Sequence, residues 1–143
     1  MVEESKSSSN LKLYWNIVSQ PARAVKCLLA LGNVPHDEQH LDLMTGEIKQ
    51  EPYTLLNPKG LVPFITEGDF KLGESNAILK YLCETQPTIP EHLWPKDPKK
   101  RALTDQFLEW YQYHFRPALV YPLKFRLIRM QTGNPIPEDV AAF

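Results

Sequence analysis

A single hydroxyl, that of Ser19, stands where the sequence predicts the turn between a first strand and a first helix. A hydroxyl near a helix N-terminus can donate a hydrogen bond to an anion that the helix dipole also stabilises. If the anion is a thiolate, its pKa must fall from about 8.5 by about one to two units, which takes roughly 1.4–2.7 kcal/mol. One charge-assisted hydrogen bond and the dipole suffice for this. The alternative is that Ser19 only caps the helix, as serine commonly does.

A second set of polar residues, Glu74 and Ser75, precedes another predicted helix. Ser75 and the first amides of that helix form a site suited to a carboxylate, and Glu74 can pair with an adjacent ammonium. Together they match the charged end of a free α-amino acid. The alternative is a helix cap that follows a solvated carboxylate. Between the two sets, Val62-Pro63 directly precedes a predicted strand, where proline is tolerated because it donates no ladder hydrogen bond.

The elements that must position these residues alternate in type. The spacing of apolar residues and the turn signals predict a short buried strand, a helix that proline opens and Gly32-Asn33 closes, a weaker second strand, a polar helix or loop, a hairpin and a last helix. Their predicted ranges are, in order, residues 11–15, 21–31, 36–43, 45–53, 64–66 with 70–72, and 75–85. This order, βαβ then ββα, predicts an α/β fold with a mixed sheet flanked by helices.

Four prolines between residues 86 and 98 predict a linker, because proline cannot continue a helix and rarely lies inside a sheet. Before it we expect a polar tail at residues 1–10 and one domain at residues 11–85. After it, residues 99–143 predict only part of an all-helical domain. One helix is expected from 99 to about 114 and a second piece from about 119 to 130, before a break at Gly133-Asn134-Pro135 and a fresh helix start at Ile136.

Three motifs carry a resemblance to a known family: Ser19-Gln20-Pro21-Ala22-Arg23-Ala24, Leu61-Val62-Pro63-Phe64 and Gly73-Glu74-Ser75-Asn76-Ala77-Ile78. In this order the chain resembles, from residue 11 to about 85, the N-terminal domain of a cytosolic glutathione S-transferase, nearest to the theta class. The resemblance implies a thioredoxin-like βαβ-ββα domain followed by the start of an all-α domain. It also implies that Ser19 stabilises the thiolate of glutathione without forming a covalent intermediate.

The same resemblance implies roles for other residues of the site. The Val62 main chain, turned by a cis bond to Pro63, would pair with the cysteinyl part of glutathione, although trans proline is far commoner in general. Glu74 and Ser75 would bind the γ-glutamyl end.

Two further roles concern the glycyl carboxylate and the mouth of the site. Lys49 lies where a theta-type lysine binds the glycyl carboxylate, but the neighbouring family histidine is Ile48 here and the expected basic residue before Val62 is Leu61, so Lys59 is a candidate substitute. Arg116 matches a theta-type arginine at the mouth of the active site and would assist the thiolate or a leaving group. The alternative is contact with terminal helix carbonyls.

Composition and charge limit the ligands and the cellular location that we expect for this protein. A net charge of −1 gives no general attraction to nucleic acid or acidic membranes, and no apolar run approaches the roughly 18 residues of a membrane span. The polar start does not resemble a targeting segment, so we expect a cytoplasmic protein. Cys27 and Cys83 are predicted to be reduced thiols in the core. The four histidines lack ligand spacing, so we expect neither a metal nor a cofactor beyond glutathione as co-substrate.

The resemblance implies a detoxifying transferase that conjugates glutathione to a small electrophile. The turn at Ser19 lacks the Cys-x-x-Cys of disulfide exchange proteins, which argues against redox chemistry. Because the 143 residues carry only the first helices of the second domain, we expect reduced activity and a homodimer or partner protein that covers those helices. The alternative is a non-catalytic interaction module inside a larger assembly.

Overall fold

A computed structural model describes residues 10–120, 122–123 and 126 of the chain. The chain forms two compact units that divide between Trp94 and Pro95. The first unit contains the sheet and the three predicted motifs, and the second is helical.

One four-stranded mixed sheet organises the first unit. Its strands are β1 (Leu11–Trp15), β2 (Asp37–His40), β3 (Phe64–Glu67) and β4 (Phe70–Gly73), in the spatial order β2-β1-β3-β4. β1 runs parallel to β2 and antiparallel to β3, and β3 pairs antiparallel with β4. The thioredoxin-like βαβ-ββα order is therefore confirmed. β2 is shorter than the predicted 36–43, because mostly exposed polar residues form it at an edge of the sheet.

Two long helices bury their apolar stripes in the first unit. α1 (Gln20–Leu31) has proline in its first turn and buries Ala22, Val25, Leu28 and Leu29. These positions recur at the spacing of one helical face. A short turn of 3₁₀ helix (Glu47–Lys49) and the four-residue helix α2 (Tyr53–Leu56) occupy the polar segment between β2 and β3. α3 (Ser75–Thr85) buries Ile78 and Leu82, and it packs against α1.

The apolar residues divide into two clusters because side chains alternate along a strand. Leu13 of β1 and Ile65 of β3 belong to the main core with the buried faces of α1 and α3. Their neighbours Tyr14 and Phe64 belong to a smaller cluster with Leu41 and Tyr53. In the smaller cluster the rings of Tyr14 and Tyr53 lie 5.7 Å apart. The segment before β3 is thus anchored to the sheet by aromatic packing.

The sequence predicts that the first domain ends with α3 at residue 85, but the first unit extends to Trp94. Ile89 joins the main core, and Trp94 is buried with its Nε1 donating a hydrogen bond of 2.9 Å to Glu84. Residues 86–94 therefore belong to the first unit instead of forming part of a linker that runs to 98. The prolines of this segment end the helix, but the large apolar side chains between them still bury on the core.

The prediction that both cysteines are core thiols is wrong for Cys27. Its side chain is exposed, since it lies on the face of α1 opposite to Val25, Leu28 and Leu29. Cys83 is partly buried, and burial raises the pKa of its thiol. Both cysteines are free.

The second unit begins with α4 (Pro98–Trp110), whose first turn is capped by the Asp97 carboxylate through a hydrogen bond of 2.9 Å from the Lys100 amide. A π-helical turn (Tyr111–Phe115) follows, and the backbone stays helical to residue 120. The helical piece predicted at 119–130 lies largely, and the start at Ile136 entirely, outside the described residues. Among the described residues no helix is long and apolar enough to cross a membrane.

Large apolar side chains of α4 and the following turn are exposed. The rings of Phe107 and Trp110 lie 5.8 Å apart, and the rings of Trp110 and Phe115 stack at 5.6 Å. Leu103 is exposed on the same helix. We call Leu103, Phe107, Trp110 and Phe115 the aromatic face of the second unit.

Candidate active site

Strand pairing brings the three predicted motifs to one edge of the sheet. Phe64 of β3 lies opposite Tyr14 of β1 and opposite Gly73 of β4. The end of β1, the start of β3 and the end of β4 therefore meet at the same edge. The segments that continue from these ends contain Ser19, Val62 and Glu74, respectively.

A buried asparagine fixes the turn that carries Ser19. The Asn16 Nδ2 donates a hydrogen bond of 2.6 Å to the carbonyl of Leu41, and its Oδ1 accepts one of 2.8 Å from the Val18 amide. The Ser19 amide in turn donates to the Asn16 carbonyl at 3.1 Å. Since every one of these groups is paired, the path of the chain from β1 into α1 is well determined.

The Ser19 hydroxyl does not cap α1. Ser19 occupies the N-cap position by its backbone, but its side chain makes no capping hydrogen bond. Its Oγ instead donates a hydrogen bond of 3.3 Å to the carbonyl oxygen of Val62. The capping alternative is therefore not observed. The hydroxyl lies beside the main chain that the resemblance assigns to the cysteinyl part of glutathione.

The bond between Val62 and Pro63 is cis, as the resemblance implies. The preceding carbonyl, that of Leu61, accepts hydrogen bonds from the Tyr53 hydroxyl at 2.6 Å and from the Asn57 Nδ2 at 2.9 Å. Burial raises the pKa of Tyr53, so its hydroxyl keeps the proton that it donates. These two side chains hold the segment that leads into β3.

A tight turn at Gly60 positions the lysines of the site. Gly60 has φ of +56°, and a Cβ added there would lie 2.4 Å from the Ile48 carbonyl oxygen. The Lys49 ammonium donates a hydrogen bond of 2.9 Å to the Lys59 carbonyl. The Lys59 ammonium in turn lies 3.0 Å from the Glu74 Oε1. Lys49, Lys59 and Glu74 thus form one connected chain of contacts.

Glu74 adopts a backbone conformation that non-glycine residues rarely occupy, with φ of +66°. Such conformations cost of order 1–3 kcal/mol and cluster at functional sites. Glu74 is the N-cap residue of α3, without a capping hydrogen bond from its side chain, and the next residue, Ser75, is buried. An exposed carboxylate therefore stands directly beside a helix N-terminus.

Comparison with known proteins identifies the family. Residues 13–99 match the family model "Glutathione S-transferase, N-terminal domain". The chain belongs to the glutathione S-transferase family. It is 34% identical to the human glutathione S-transferase theta-2B over 90% of its own length and 52% of that relative.

Solved structures of this family have the same fold. Human glutathione S-transferase T1-1 in its apo form matches with a TM-score of 0.85 and 31% identity, over 92% of this chain and 55% of that one. Human glutathione transferase theta-2, solved in complex with glutathione, matches with a TM-score of 0.83 and 33% identity, over 90% and 53%. The chain spans about half the length of these theta-class relatives.

In this glutathione S-transferase-family chain, all predicted site residues except Arg116 lie in the first unit, and several of them contact one another in pairs. Ser19 contacts Val62, and Lys59 contacts Glu74. The Lys49 ammonium contacts the Lys59 carbonyl, and no contact among the described residues joins it to Glu74. Arg116, in contrast, lies in the second unit, where its Nε is buried and has no hydrogen-bond partner among the described residues.

The residues that support the site were not predicted from the sequence: Asn16, Tyr53, Asn57 and Gly60. The run Asn57-Pro58-Lys59-Gly60 carries a recognisable turn signal. Asn16 has a weaker signal, a short polar side chain directly after a buried strand. No local signal indicates that Tyr53 reaches Leu61, because the contact depends on tertiary packing.

One cavity of the first unit lies apart from the predicted site. A cavity of about 260 Å³, lined in part by Tyr14, Leu41 and Tyr53, contains none of the predicted site residues in its wall. Over the described part of the chain, no group of three or more His, Cys, Asp or Glu side chains is arranged to hold a metal ion.

Proposed function

We propose that this chain binds glutathione at the sheet edge formed by the three motifs, stabilises its thiolate with Ser19, and conjugates it to small electrophiles. The observation that carries the proposal is the Ser19 hydroxyl, which points to the Val62 carbonyl at 3.3 Å and not to its own helix. This hydroxyl does not act as a cap, and it lies beside the main chain that is expected to pair with a cysteinyl group. It can therefore donate a hydrogen bond to the ligand sulfur.

The chemistry follows from the exchange of one hydrogen bond for another. The bond from Ser19 to Val62 is neutral and long, whereas a hydrogen bond to a thiolate is charge-assisted and about twice as strong. When glutathione binds, the hydroxyl rotates to the sulfur and favours its ionised form, and the thiol proton passes to solvent. The thiolate then forms a carbon–sulfur bond to the electrophile, and the leaving group departs with its electron pair. No bond to the protein forms.

The other site residues bind the three parts of the tripeptide. The Val62 main chain pairs with the cysteinyl part, and Glu74 and Ser75 bind the γ-glutamyl end. Lys49 supplies positive charge for the glycyl carboxylate. Arg116, of the second unit, assists the leaving group. Holding the thiolate and the electrophile together can supply several kcal/mol toward the barrier.

Calorimetric titration with reduced glutathione and with an S-alkyl glutathione tests the binding step. We expect heat from both ligands, because the contacts at the two ends of the tripeptide do not involve the sulfur. A folded protein that gives no heat with either ligand at millimolar concentration would contradict the proposal.

A second candidate function is that of an interaction module, which the aromatic face of the second unit favours. Contiguous exposed rings are unusual on a monomer and mark contact surfaces. Under either function we infer that a second copy of the chain or a partner protein covers this face. Light scattering measures the mass directly, and a mass well above 16.5 kDa for the pure chain shows that it associates with itself. Loss of that mass in Trp110→Asp would place the second copy on the aromatic face. Partner-dependent assembly without glutathione binding would favour the interaction module.

A further inference from the structure

The ion pair between Lys59 and Glu74 lies at the predicted γ-glutamyl end of the site. The Lys59 Nζ and the Glu74 Oε1 are 3.0 Å apart, and the two side chains remain 69% and 60% exposed. Exposed pairs of this kind contribute little to stability. A ligand that offers each partner a new opposite charge can therefore separate them at little cost.

The backbone of Lys59 is held in place although its side chain is exposed. Its carbonyl accepts the hydrogen bond from Lys49, and the next residue, Gly60, lies in a turn that admits no Cβ. The Lys59 ammonium can consequently change its partner without movement of the main chain. The position of its Cα keeps the ammonium within reach of Glu74, the residue directly before Ser75.

These contacts place a positive and a negative group side by side at the N-terminus of α3. An α-amino acid end carries the opposite pair, a carboxylate and an ammonium on one carbon. We propose that Lys59 and Glu74 exchange partners when the ligand binds: Lys59 pairs with the ligand α-carboxylate, which Ser75 also contacts, and Glu74 pairs with the α-ammonium. Lys59 is thereby a specificity-determining residue for ligands with a zwitterionic γ-glutamyl end.

The inference rests on the proposed function and adds a residue to it. It also gives Lys59 a different role from the one that the family resemblance suggested, at the glycyl carboxylate. One ion pair in the free protein becomes two in the complex, and the net charge of the site does not change. A ligand that lacks either charged group leaves one of the two side chains without its new partner.

Calorimetric titration of two variants with three ligands tests the exchange. The ligands are glutathione, 4-aminobutyryl-cysteinyl-glycine without the α-carboxylate, and glutaryl-cysteinyl-glycine without the α-ammonium. We expect Lys59→Gln to weaken glutathione binding about five- to tenfold and to leave the affinity for the ligand without the carboxylate unchanged. Glu74→Gln should weaken glutathione binding but not the binding of the ligand without the ammonium.

Lys71→Gln is the matched control, since it removes the same charge from an exposed position on β4. It should bind all three ligands like the original chain. An equal loss with glutathione and with the ligand lacking the α-carboxylate would mean that Lys59 acts on a part that both ligands share, such as the glycyl carboxylate, or only on the fold. Either case would overturn the inference, as would an unchanged or increased affinity of Lys59→Gln for glutathione. If the unsubstituted chain binds no glutathione, both the proposed function and the inference are overturned.

Discussion

The hydroxyl of Ser19 lies 3.3 Å from the carbonyl oxygen of Val62, across 43 positions of sequence. This contact joins the turn before α1 to the segment before β3. In the proposed complex the ligand sulfur would replace the Val62 carbonyl as the partner of the hydroxyl. Serine at an N-cap position ordinarily bonds to its own helix. The proposed role of Ser19 toward a ligand rests on this unused cap.

Replacement of Ser19 by alanine should raise the pKa of the bound glutathione thiol by about one to two units, because the variant loses the donor that stabilises the anion. The affinity should change little, since the ends of the tripeptide keep their contacts. Thiolate absorbance measured against pH reports the shift. Ser19→Thr keeps a hydroxyl and serves as the control. An identical titration in Ser19→Ala would show that the hydroxyl does not act on the sulfur.

Replacement of Tyr53 by phenylalanine removes two hydrogen bonds, one that its hydroxyl donates to Leu61 and one that it accepts from the Asn57 Nδ2 at 3.2 Å. It should destabilise the first unit by about 0.5–1.5 kcal/mol for each bond. The Leu61 carbonyl keeps its second donor, Asn57, so the loss should stay moderate. Urea denaturation followed by fluorescence measures the free energy of unfolding. Tyr113→Phe, at an exposed position, is the control and should change it little. Equal effects of the two substitutions would argue against a structural role for the Tyr53 hydroxyl.

Two glycines with positive φ should differ in their tolerance of alanine. At Gly46 a Cβ has no neighbour within 4 Å, so the cost is that of the backbone conformation alone, about 1–2 kcal/mol. At Gly60 the Cβ would lie 2.4 Å from a backbone carbonyl, which cannot move aside easily. Gly60→Ala should therefore be clearly the less stable variant, and it should also weaken glutathione binding by displacing Lys59. Thermal unfolding and calorimetry of both variants compare them, and equal melting temperatures would contradict the prediction.

The first unit should lose stability in acid through Glu38. Burial raises the pKa of this carboxyl, but hydrogen bonds and charges from Lys26, at 2.7 Å, and from His36 outweigh it and leave the pKa below 4.5. The unfolded state then binds more protons, so the contribution is present above pH 4.5 and is lost as the pH falls through the folded pKa. Lys26→Met should reduce this loss. Lys71→Met is the control, and an unchanged slope of stability against pH in Lys26→Met would contradict the assignment.

The 143-residue chain should bind glutathione but turn over aromatic electrophiles slowly. Rate enhancement requires an electrophile held beside the thiolate, and the aromatic face of the second unit is exposed to solvent in this chain. Steady-state conjugation, measured together with calorimetric binding, checks this expectation. Rapid turnover by a monomer of this length would contradict it and would mean that the chain holds the electrophile without a partner.

The helices and the hairpin were predictable because their signals are local. α1 carries its buried residues at helical spacing between a proline and a glycine, and the hairpin of β3 and β4 surrounds a Gly68-Asp69 turn. β2 was predicted too long, since an exposed edge strand has no apolar alternation to mark its ends. The prediction for Cys27 was wrong because it rested on the apolar character of the surrounding helix, whereas Cys27 lies on the face opposite to the buried stripe.

The sequence by itself determined the family, the order of the elements and the three motifs of the site, because each depends on residues that are neighbours in the chain. Only the tertiary structure decided which partners these residues take. Asn16 bonds to Leu41, Ser19 turns from its helix to Val62, and Lys59 pairs with Glu74. These contacts join residues 15 to 43 positions apart. They form only when the sheet brings three strand ends to one edge, since a side chain takes its partner from those that packing places within hydrogen-bond distance.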